Sequence, residues 1–411
     1  MPKSEKGRGL PTGWSALAHN SWTRGDAKGA ISIVLADLNR QGPQKPLGTI
    51  LQFAFYLFEI GDFEAAAGIL EGARAGYPRD PQLLLNLAIC LTKTKRYEFA
   101  GDRLAELIEI QPHNTVAWDA LCTLRRAQGR LDEAAQAGAQ ALKLKDDGQP
   151  EAPSNWKVPA ESPSAWLRAT GKDSNGVLSF SLWGSGKSYL RGAIDNTLAA
   201  AVLYPGWRVR FYLDNTVPIG VREALSMLGA DVRMETAGQS DRQRLTWRFK
   251  VADDPHVGRY VVRDADSVVS QRERSAVEAW IASDRWFHVM RDWWTHTDLM
   301  LAGMWGGIAG ALPNMERLLK TYSPPAVTSR TIDQWFLRDQ VWRYVRTSCL
   351  VHDRCFPAPH AVPWPDPAPA GDTHVGMDDH ILATDIQAAR LRDALNLRIP
   401  DWRERLACLD L

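Results

Sequence analysis

Apolar and polar positions in the first part of the chain repeat at a spacing of 34 residues. The segments 47–80, 81–114 and 115–148 align without gaps, and corresponding positions hold side chains of similar size. The coinciding small residues are Ala54, Ala88 and Cys122, and Ala66, Ala100 and Ala134; the large ones are Phe53, Leu87 and Leu121, and Phe63, Tyr97 and Leu131. This pattern predicts paired helices, because small residues let two helices approach closely while large ones fill the groove to the next unit.

The turn and the end of each unit are marked as well. Gly61 and Gly129 fall between the two predicted helices of their units, where the middle unit has Lys95. Pro78 and Pro112 end the first two units, and proline stops a helix because it lacks the backbone N–H. With these markers the three segments resemble the tetratricopeptide consensus, so we expect a tetratricopeptide-type helical solenoid.

A degenerate unit precedes the three regular ones. It is marked by Gly25, Asp26 and Ala30 and is offset by a short insertion after Arg40. We therefore predict a flexible N-terminus over residues 1–20 and a repeat array over residues 21–148. The resemblance implies a groove for a protein or peptide partner; the alternative is a rigid spacer or a dimer surface, and an oligomer is possible.

Beyond the array the pattern changes twice. Residues 149–175 are rich in Pro, Ser and charge, which predicts a linker. Short apolar runs then alternate with helical stretches, an order typical of βαβ units in a mostly parallel sheet. The predicted strands are 177–184, 208–214, 231–235 and 259–267, and the predicted helices are 188–203, 219–228 and 275–283. In such sheets ligands bind beyond the carboxyl ends of the strands.

Asp264 and Asp266 stand at one of those ends, after the apolar residues 260–262. In an extended chain residues i and i+2 point to the same side, so we expect both carboxylates to face one spot. Hard anionic oxygens beside a diphosphate are what Mg²⁺ or Mn²⁺ requires. One interpretation of this pair is therefore a site for a divalent ion that bridges the phosphates of a nucleotide; the alternative is an acidic turn between a strand and a loop.

The stretch VVRDADSVVSQRE resembles the Asp-x-Asp strand of glycosyltransferases with the GT-A fold. Together with SFSLWG, HVMRDWWTH, AGMWGG and DQWFL, it is similar to a bacterial glycosyltransferase group associated with polysaccharide and glycan synthesis. We therefore expect an α plus α/β chain, in which the helical solenoid precedes a GT-A-like, Rossmann-like, mostly parallel sheet domain over residues 176–385. Residues 386–411 are expected to form a C-terminal helical segment.

The resemblance implies a metal-dependent transfer of a sugar, with a UDP-hexose the expected donor and Mn²⁺ or Mg²⁺ the expected metal. The residues expected at the nucleotide are Trp183, Asp214, Arg248, Arg263, Asp264 and Asp266. A helix N-cap is the alternative role for Asp214, and a structural ion pair is the alternative for Arg248. His352 is the first choice for a third metal ligand beside Asp264 and Asp266, with His374 and His380 behind it.

Residues 288–307 combine charged and aromatic side chains at high density. Arg291, Asp292 and His296 lie among Trp293, Trp294 and Trp305, with Gly303, Gly306 and Gly307 after them. Aromatic faces stack on sugars and charged groups fix hydroxyls, so this stretch predicts a carbohydrate pocket; an aromatic core wall is the alternative. Arg291 and Asp292 are candidate catalytic residues.

Asp333, which opens an apolar helix-like run, is a second candidate for a general base in an inverting reaction. A helix cap is its alternative role. The choice between Asp292 and Asp333, and between inversion and retention, stays open.

Two further hypotheses compete with a glycosyltransferase: a repeat scaffold with a non-catalytic sugar- or nucleotide-binding domain, and a nucleotidyltransferase. A P-loop is excluded, because position 181, five residues before Gly186, is Ser where that motif requires Gly.

Composition narrows the class of protein further. Lys plus Arg number 49 against 48 Asp plus Glu, so no bulk charge favours nucleic acid or an anionic membrane. The five cysteines form no Cys-x-x-Cys pair, which fits a reducing compartment. Because the chain has neither an apolar run of about 18 residues nor a signal-peptide pattern, we expect a cytoplasmic protein without a membrane span.

Overall fold

The structure is a computed structural model that describes residues 10–42, 45–172, 176–236, 238–323, 331–358, 361–377, 392–393, 395–397 and 399–405. The described chain forms two compact units, and it passes from the first to the second at Gly148.

The described part of the first unit is a run of paired helices. Their bounds are α1 Ala16–Thr23, α2 Ala27–Arg40, α3 Leu47–Glu59, α4 Phe63–Ala73, α5 Pro81–Lys93, α6 Tyr97–Ile110, α7 Thr115–Ala127 and α8 Leu131–Asp147. Each of the three predicted 34-residue segments therefore contains one helix pair, and α1 with α2 forms the degenerate first pair. The repeated small positions are buried: Ala66, Ala100 and Ala134 are fully inaccessible to solvent.

The turn inside each pair requires a left-handed backbone. Gly25, Gly61 and Gly129 have φ of 87°, 84° and 75°. Lys95 stands at the same place with φ 62°, and among the described non-glycine residues it alone has a positive φ. Glycine adopts this conformation without the steric conflict that a Cβ atom creates, so Lys95 carries a local strain that its counterparts avoid.

The array begins earlier than the segment that the sequence assigned to it. Helix α1 starts at Ala16, and Ser15 caps it by accepting a hydrogen bond from the Ala18 N–H. The buried Gln52 amide accepts from the Ser15 N–H at 2.7 Å and donates to the Ser15 carbonyl at 3.0 Å. Residues 15–20, expected to be flexible, are thus helix and cap.

The second unit contains one mixed sheet of eight described strands. Their bounds are β1 Gly176–Leu182, β2 Arg208–Leu213, β3 Asp231–Met234, β4 Arg259–Arg263, β5 Phe287–Arg291, β6 Met304–Ile308, β7 Cys349–Asp353 and β8 Ala361–Val362. The order across the sheet is β3-β2-β1-β4-β6-β5-β7-β8. Both pairings of β6 are antiparallel, and the other pairings of these strands are parallel.

Short helices connect and cover these strands. They are α9 Pro163–Thr170, α10 Lys187–Leu203, α11 Ile219–Met227, α12 Asp241–Thr246, α13 Gln271–Ala282, α14 Met315–Thr321, α15 Ile332–Phe336, α16 Trp342–Val345 and α17 Trp402–Arg405. Two 3₁₀ turns, Trp247–Asp253 and Arg346–Ser348, and a π-helical turn, Leu337–Val341, complete the set described.

Strand β1 lies between β2 and β4 in the sheet. All seven of its residues are buried, as expected for a strand covered on both faces. After β1 the chain adds β2 and β3 on one side and then returns to place β4 on the other. The gap between the carboxyl ends of β1 and β4 is therefore a topological switch point, the place where open α/β sheets bind ligands.

The segment predicted as a linker packs against the second unit. It contains α9, and Trp166 meets Trp286 edge to face with ring centres 5.5 Å apart. Trp156 makes the same kind of contact with Tyr344 at 4.7 Å. Residues 149–172 therefore share the packing of the sheet unit.

Candidate functional site

The acidic pair lies at the switch point. Asp264 follows β4 directly, but β4 ends at Arg263 and residues 264–267 form a turn in which the Ser267 N–H donates to the Asp264 carbonyl at 3.4 Å. The sequence predicted an extended strand through residue 267, with both carboxylates on one side by alternation. The alternation argument is wrong for this segment, because residues 264–267 form a turn. The conformation of that turn and the residues that contact it set the directions of the two side chains.

Three of the predicted site residues meet through one buried guanidinium. The Arg248 Nη1 atom donates to the Asp264 carboxylate and, at 3.2 Å, to the Arg263 carbonyl. Its Nη2 atom donates to the Asp333 carboxylate at 2.9 Å. Arg248 and Asp333 are buried, whereas the Asp264 side chain is 46% exposed. Arg248 therefore pairs with one partly exposed carboxylate, Asp264, and one buried carboxylate, Asp333. This is the structural ion pair expected from the sequence as the alternative role for Arg248.

The 3₁₀ turn Trp247–Asp253 fixes Arg248 against β1. The Ser179 hydroxyl donates to the Arg248 carbonyl at 2.8 Å, and the Arg248 N–H donates to the Ser181 hydroxyl at 2.9 Å. Both serines point from the strand into the buried layer beneath the site. The guanidinium is thus held by its backbone as well as by its two acidic partners.

Burial raises the pKa of Asp333 to about 6; Arg248 opposes this shift and Asp264 adds to it. Burial acts to lower the pKa of Arg248, but the two carboxylates outweigh it and the pKa is raised. The pKa of Asp333 is therefore closer to neutral pH than that of an ordinary aspartate, which suits a general base.

Arg263 supports the acidic turn from below. It is fully buried, donates to the Gly303 carbonyl at 2.6 Å and to the Ser267 hydroxyl at 3.1 Å, and pairs with the buried Glu273 at 3.1 Å. A side chain at Gly303 would collide with the Asp264 carboxylate. The absence of a side chain at Gly303 thus leaves room for Asp264, and Arg263 faces the protein interior.

Asn196 and Gly192 of α10 contact the same turn, and neither was singled out in the sequence. The buried Asn196 amide donates to the Ala265 and Ser267 carbonyls at 3.3 and 3.1 Å and accepts from the Val269 N–H at 3.0 Å. A Cβ atom at Gly192 would collide with the Ala265 carbonyl oxygen. The available signal was a polar amide inside an otherwise small and apolar helix face.

Asp214 organises the loops that follow β1 and β2. It is fully buried, accepts from the Thr216 N–H at 3.0 Å and pairs with Arg244 at 3.1 Å. Burial acts to raise its pKa, but the hydrogen bonds to Thr216 and Arg244 outweigh it and the pKa is lowered. The Thr216 hydroxyl in turn accepts from the Gly184 N–H at 2.7 Å. Pro218 occupies the N-cap position of helix α11, so Asp214 is not the N-cap of that helix.

Trp183, the remaining residue predicted at the nucleotide, follows β1 directly and is half-buried. It therefore lies at the carboxyl end of β1, beside the switch point.

Arg291 and Asp292 belong to buried ion pairs that do not include Asp264. Arg291 pairs with Asp353 at 2.7 Å and donates to the Leu299 carbonyl at 3.0 Å. Asp292 receives both arms of Arg272, at 2.8 and 3.1 Å, and the Val375 N–H at 2.9 Å. Asp292 is completely inaccessible to solvent. The structure thus uses both predicted catalytic residues to hold β5 and the segments around it.

The histidines proposed as third ligands lie elsewhere. His352 lies on β7, which is separated from β4 by the strands β6 and β5. Its Nδ1 atom lies 2.8 Å from the His288 Nε2 atom. Burial lowers the pKa of His352 to about 4. His374 stacks on Trp293, and His380 lies outside the described residues. Within the described part of the chain, no three His, Cys, Asp or Glu side chains form a group that could hold a metal.

The aromatic stretch is largely committed to protein contacts. The Trp293 ring stacks on His374 at 4.6 Å and lies 5.5 Å from the Arg354 guanidinium. Trp305 is fully buried on β6, and a side chain at Gly306 would come 2.5 Å from the Tyr260 carbonyl. The aromatic core wall, which was the alternative, therefore describes Trp305 and Gly306 better than a sugar pocket does.

Comparisons with known proteins bear on the first unit. Residues 57–125 match the family model described as "Tetratricopeptide repeat". This confirms the prediction of tetratricopeptide repeats, a protein-interaction architecture. A search of curated protein sequences finds no similar protein. No described helix is long and apolar enough to cross a bilayer.

Solved structures that resemble the chain include MamA and tetratricopeptide repeat proteins. "Crystal structure of MamA" is 19% identical with a TM-score of 0.31 and covers 33% of this chain and 78% of its own. "MamA 41-end from Desulfovibrio magneticus RS-1" is 18% identical with a TM-score of 0.29, covering 32% and 73%. "YrrB: a TPR protein with an unusual peptide-binding site" is 14% identical with a TM-score of 0.29, covering 32% and 66%. At these TM-scores the likeness adds nothing to the family match.

Proposed function

We propose that the second unit is a metal-dependent glycosyltransferase of GT-A type, which moves a hexose from a UDP-sugar to an acceptor recruited by the repeats. The observation that supports this proposal is the meeting of Asp264, Arg248 and Asp333 at the switch point of the sheet. A donor-side carboxylate and a candidate base are held there by one buried cation. This is also where an open α/β sheet binds its ligand.

The residues present fit Mg²⁺ or Mn²⁺ that arrives with a diphosphate. Asp264 is half-open and Asp266 is half-buried, and no third protein ligand joins them among the described residues. Mg²⁺ is commonly held by one or two carboxylates, with phosphate oxygens and water filling the other positions. When bound, the ion would stabilise the charge that develops on the leaving nucleoside diphosphate.

Helix α10 offers a second group for the phosphates. It starts at Lys187, after the loop that follows β1, and no side-chain hydrogen bond caps it. Its second turn touches the acidic turn at Gly192, so its start at Lys187, five residues earlier, lies about 7.5 Å further along the helix axis at 1.5 Å per residue. The N–H groups of a helix start favour anions. Lys187 adds a positive charge there.

Asp333 suits the role of base better than Asp292 does. Both Asp292 oxygens are held by Arg272, the Val375 N–H is a third donor, and none of these partners belongs to the cluster around Asp264. Asp333 is also buried, with one oxygen on Arg248 and the other accepting from the Gln334 N–H at 3.0 Å. It shares Arg248 with the half-exposed Asp264, however, and its pKa is raised to about 6. It would take the proton of the acceptor hydroxyl as the new glycosidic bond forms, and a base acting directly on the acceptor implies inversion at the anomeric carbon.

Calorimetric titration of the full chain with UDP-, GDP- and dTDP-sugars, each with and without Mn²⁺, tests this proposal. We expect tight binding of a UDP-sugar that requires Mn²⁺, and loss of this Mn²⁺-dependent binding in Asp266→Asn. Asp284→Asn is the matched control, because Asp284 lies in the exposed loop after α13, away from the switch point. A wild-type chain that binds none of these sugars in a metal-dependent way is not a GT-A glycosyltransferase.

A repeat scaffold with a non-catalytic nucleotide- or sugar-binding domain is the second candidate. The family match to tetratricopeptide repeats favours it, since the recognised part of the chain is a protein-binding architecture. The scaffold predicts nucleotide-sugar binding without turnover. A nucleotidyltransferase is separated from both by adding a nucleoside triphosphate with a sugar phosphate and measuring pyrophosphate.

A further inference from the structure

We propose that Asn196 is a positioning residue that sets the direction of the Asp264 and Asp266 carboxylates for the metal–diphosphate. This inference rests on the proposed function. The acidic pair lies on a turn, so the strand does not fix its geometry. One side chain that reaches this turn from another element is the Asn196 amide.

Its hydrogen bonds enclose the acidic turn. The Asn196 Nδ2 atom donates to the Ala265 carbonyl, between the two acids, and to the Ser267 carbonyl just after them, at 3.3 and 3.1 Å. The Oδ1 atom accepts from the Val269 N–H at 3.0 Å. Three backbone groups within five residues are thus tied to one planar amide, whose orientation fixes theirs.

The helix supplies little reason for an asparagine at this position. Asparagine is a poor residue for a helix interior because its amide competes with the backbone, and a buried polar group is costly unless it is hydrogen-bonded. Asn196 is fully inaccessible to solvent in the middle of α10. One bond, to the Gly192 carbonyl at 2.9 Å, stays within its own helix, and the three others go to residues 265–269.

Gly192 completes the contact one helical turn earlier. Its missing side chain lets the Ala265 carbonyl oxygen approach the helix, at a place where a Cβ atom would collide with it. Backbone cannot swing aside as a flexible side chain can, so a methyl group there would push the acidic turn outward. Gly192 and Asn196 together form a seat for the turn.

The test compares Asn196→Asp with Thr197→Val in the full-length protein, using UDP and Mn²⁺ in calorimetry. Asn196→Asp keeps the shape but turns a carboxylate oxygen toward three carbonyls, two of which belong to the acidic turn. Thr197 is also buried, but its hydroxyl donates to the Ala193 carbonyl of its own helix at 2.9 Å. Residues that orient metal ligands typically contribute about 10–100-fold in metal affinity, so we expect a loss of this size in Asn196→Asp alone.

The readout separates positioning from general stability. The loss in Asn196→Asp should be restored by raising the Mn²⁺ concentration, with the limiting UDP affinity approaching that of wild type, whereas a generally weakened fold would not respond to Mn²⁺. Gly192→Ala, which keeps the amide and shifts only the turn, should show the same metal-dependent loss. Unchanged Mn²⁺-dependent affinity in both variants would overturn the assignment.

Backbone hydrogen exchange decides the inference even if the proposed function fails. If wild-type protein binds no nucleotide with Mn²⁺, the glycosyltransferase proposal falls. The seat is then judged by the Val269 amide and its neighbours, which should exchange faster in Asn196→Asp than in wild type or Thr197→Val. Equal exchange in the three proteins would show that Asn196 does not hold the turn.

Discussion

The helical array and the sheet unit fill their interiors with different side chains. In the described part of the array nearly all buried residues are apolar, and the buried polar or charged ones are Ser21, Thr49, Gln52 and Lys145. The sheet unit buries complete ion pairs, such as Arg263 with Glu273 at 3.1 Å and Arg291 with Asp353 at 2.7 Å. The partners of these pairs come from separate elements, whereas helices of the array pack mainly against their chain neighbours.

The two units therefore differ in which substitutions destabilise them most. Apolar contacts in a repeat array add up from neighbour to neighbour, so one change acts locally. A buried charge has no substitute for its partner, so removing one member leaves the other unpaired. We therefore expect single substitutions to have their largest effects in the ion-pair network of the sheet unit and the smallest at the surface of the array.

Arg248→Met should have the largest effect, because it leaves the buried Asp333 and the half-exposed Asp264 without their shared cation. Breaking a buried pair costs about 3–5 kcal/mol of stability. Because Asp264 is partly exposed, we expect Arg248→Met to lose an amount near the lower end of that range. Urea unfolding measures the free energy. Arg233→Met, whose side chain is 54% exposed and pairs with Asp231, is the control and should cost under about 1 kcal/mol. Equal losses in the two variants would contradict the contrast between buried and exposed pairs.

Asp333 should give stability a pH dependence with a defined sign. Its pKa is raised from 3.8 to about 6 in the folded state, so folding favours the protonated form. The destabilising contribution of the ionised carboxyl is therefore absent below about pH 4, grows between 4 and 6, and is complete above 6. Compared with Asp333→Asn, wild type should lose about 1–3 kcal/mol across this window. Chemical unfolding at several pH values measures it; a flat difference would show that the pKa is not raised.

Lys95→Gly should stabilise the array by about 1 kcal/mol, because a left-handed residue with a Cβ atom costs about 1–2 kcal/mol and glycine loses part of this gain through its unfolded-state entropy. The reverse change, Gly129→Lys, is the matched partner at the same turn and should destabilise by a similar amount. A Cβ atom at Gly129 meets nothing within 4 Å, so only the backbone conformation differs. Thermal unfolding of both variants checks the opposite signs.

Gly68→Ala should have the smallest effect, a gain of about 0.5–1 kcal/mol, since Gly68 lies inside α4 with open space around it. The same substitution at Gly192 should be destabilising, because it meets the Ala265 carbonyl. Measured side by side by urea unfolding, the pair tests whether a helical glycine is merely permissive in the array and required in the sheet unit. If both substitutions increased the free energy of unfolding, Gly192 would not be required for the contact between α10 and the acidic turn.

The array could be predicted in detail because its information is local. Spacing, small residues and turn glycines placed each helix pair within a few residues, and even Lys95 was assigned to its turn. The first four strands were also predicted, because they are apolar runs with polar ends. Strand β6, with the sequence MWGGI, was not predicted, because two glycines and no alternation hide a strand that is recognisable only by its pairing with β4 and β5.

The site could be predicted only where chemistry lies in neighbouring residues. Asp264 and Asp266 were singled out because they follow an apolar run as a pair. Arg248 was named as a nucleotide-binding candidate, and Asp333 as a candidate base because it opens an apolar helix-like run. Asn196 was missed, because its partners are 69 to 73 residues away in the chain. Arg291 and Asp292 were chosen for charge density, which cannot show that Asp353 and Arg272 already satisfy them. Whether a charged residue serves a ligand or the fold depends on its distant partners.

Release of UDP from a UDP-sugar, measured with Mn²⁺ for wild type and Asp333→Asn, shows whether the second unit is a glycosyltransferase. If the cluster of Asp264, Arg248 and Asp333 is the active site, wild type releases UDP with the acceptor or slowly with water. Asp333→Asn should then keep Mn²⁺-dependent binding but lose about 10²–10⁴-fold in rate, the usual contribution of a general base. Nucleotide binding without any UDP release by wild type would rule out the glycosyltransferase and favour the repeat scaffold with a non-catalytic binding domain.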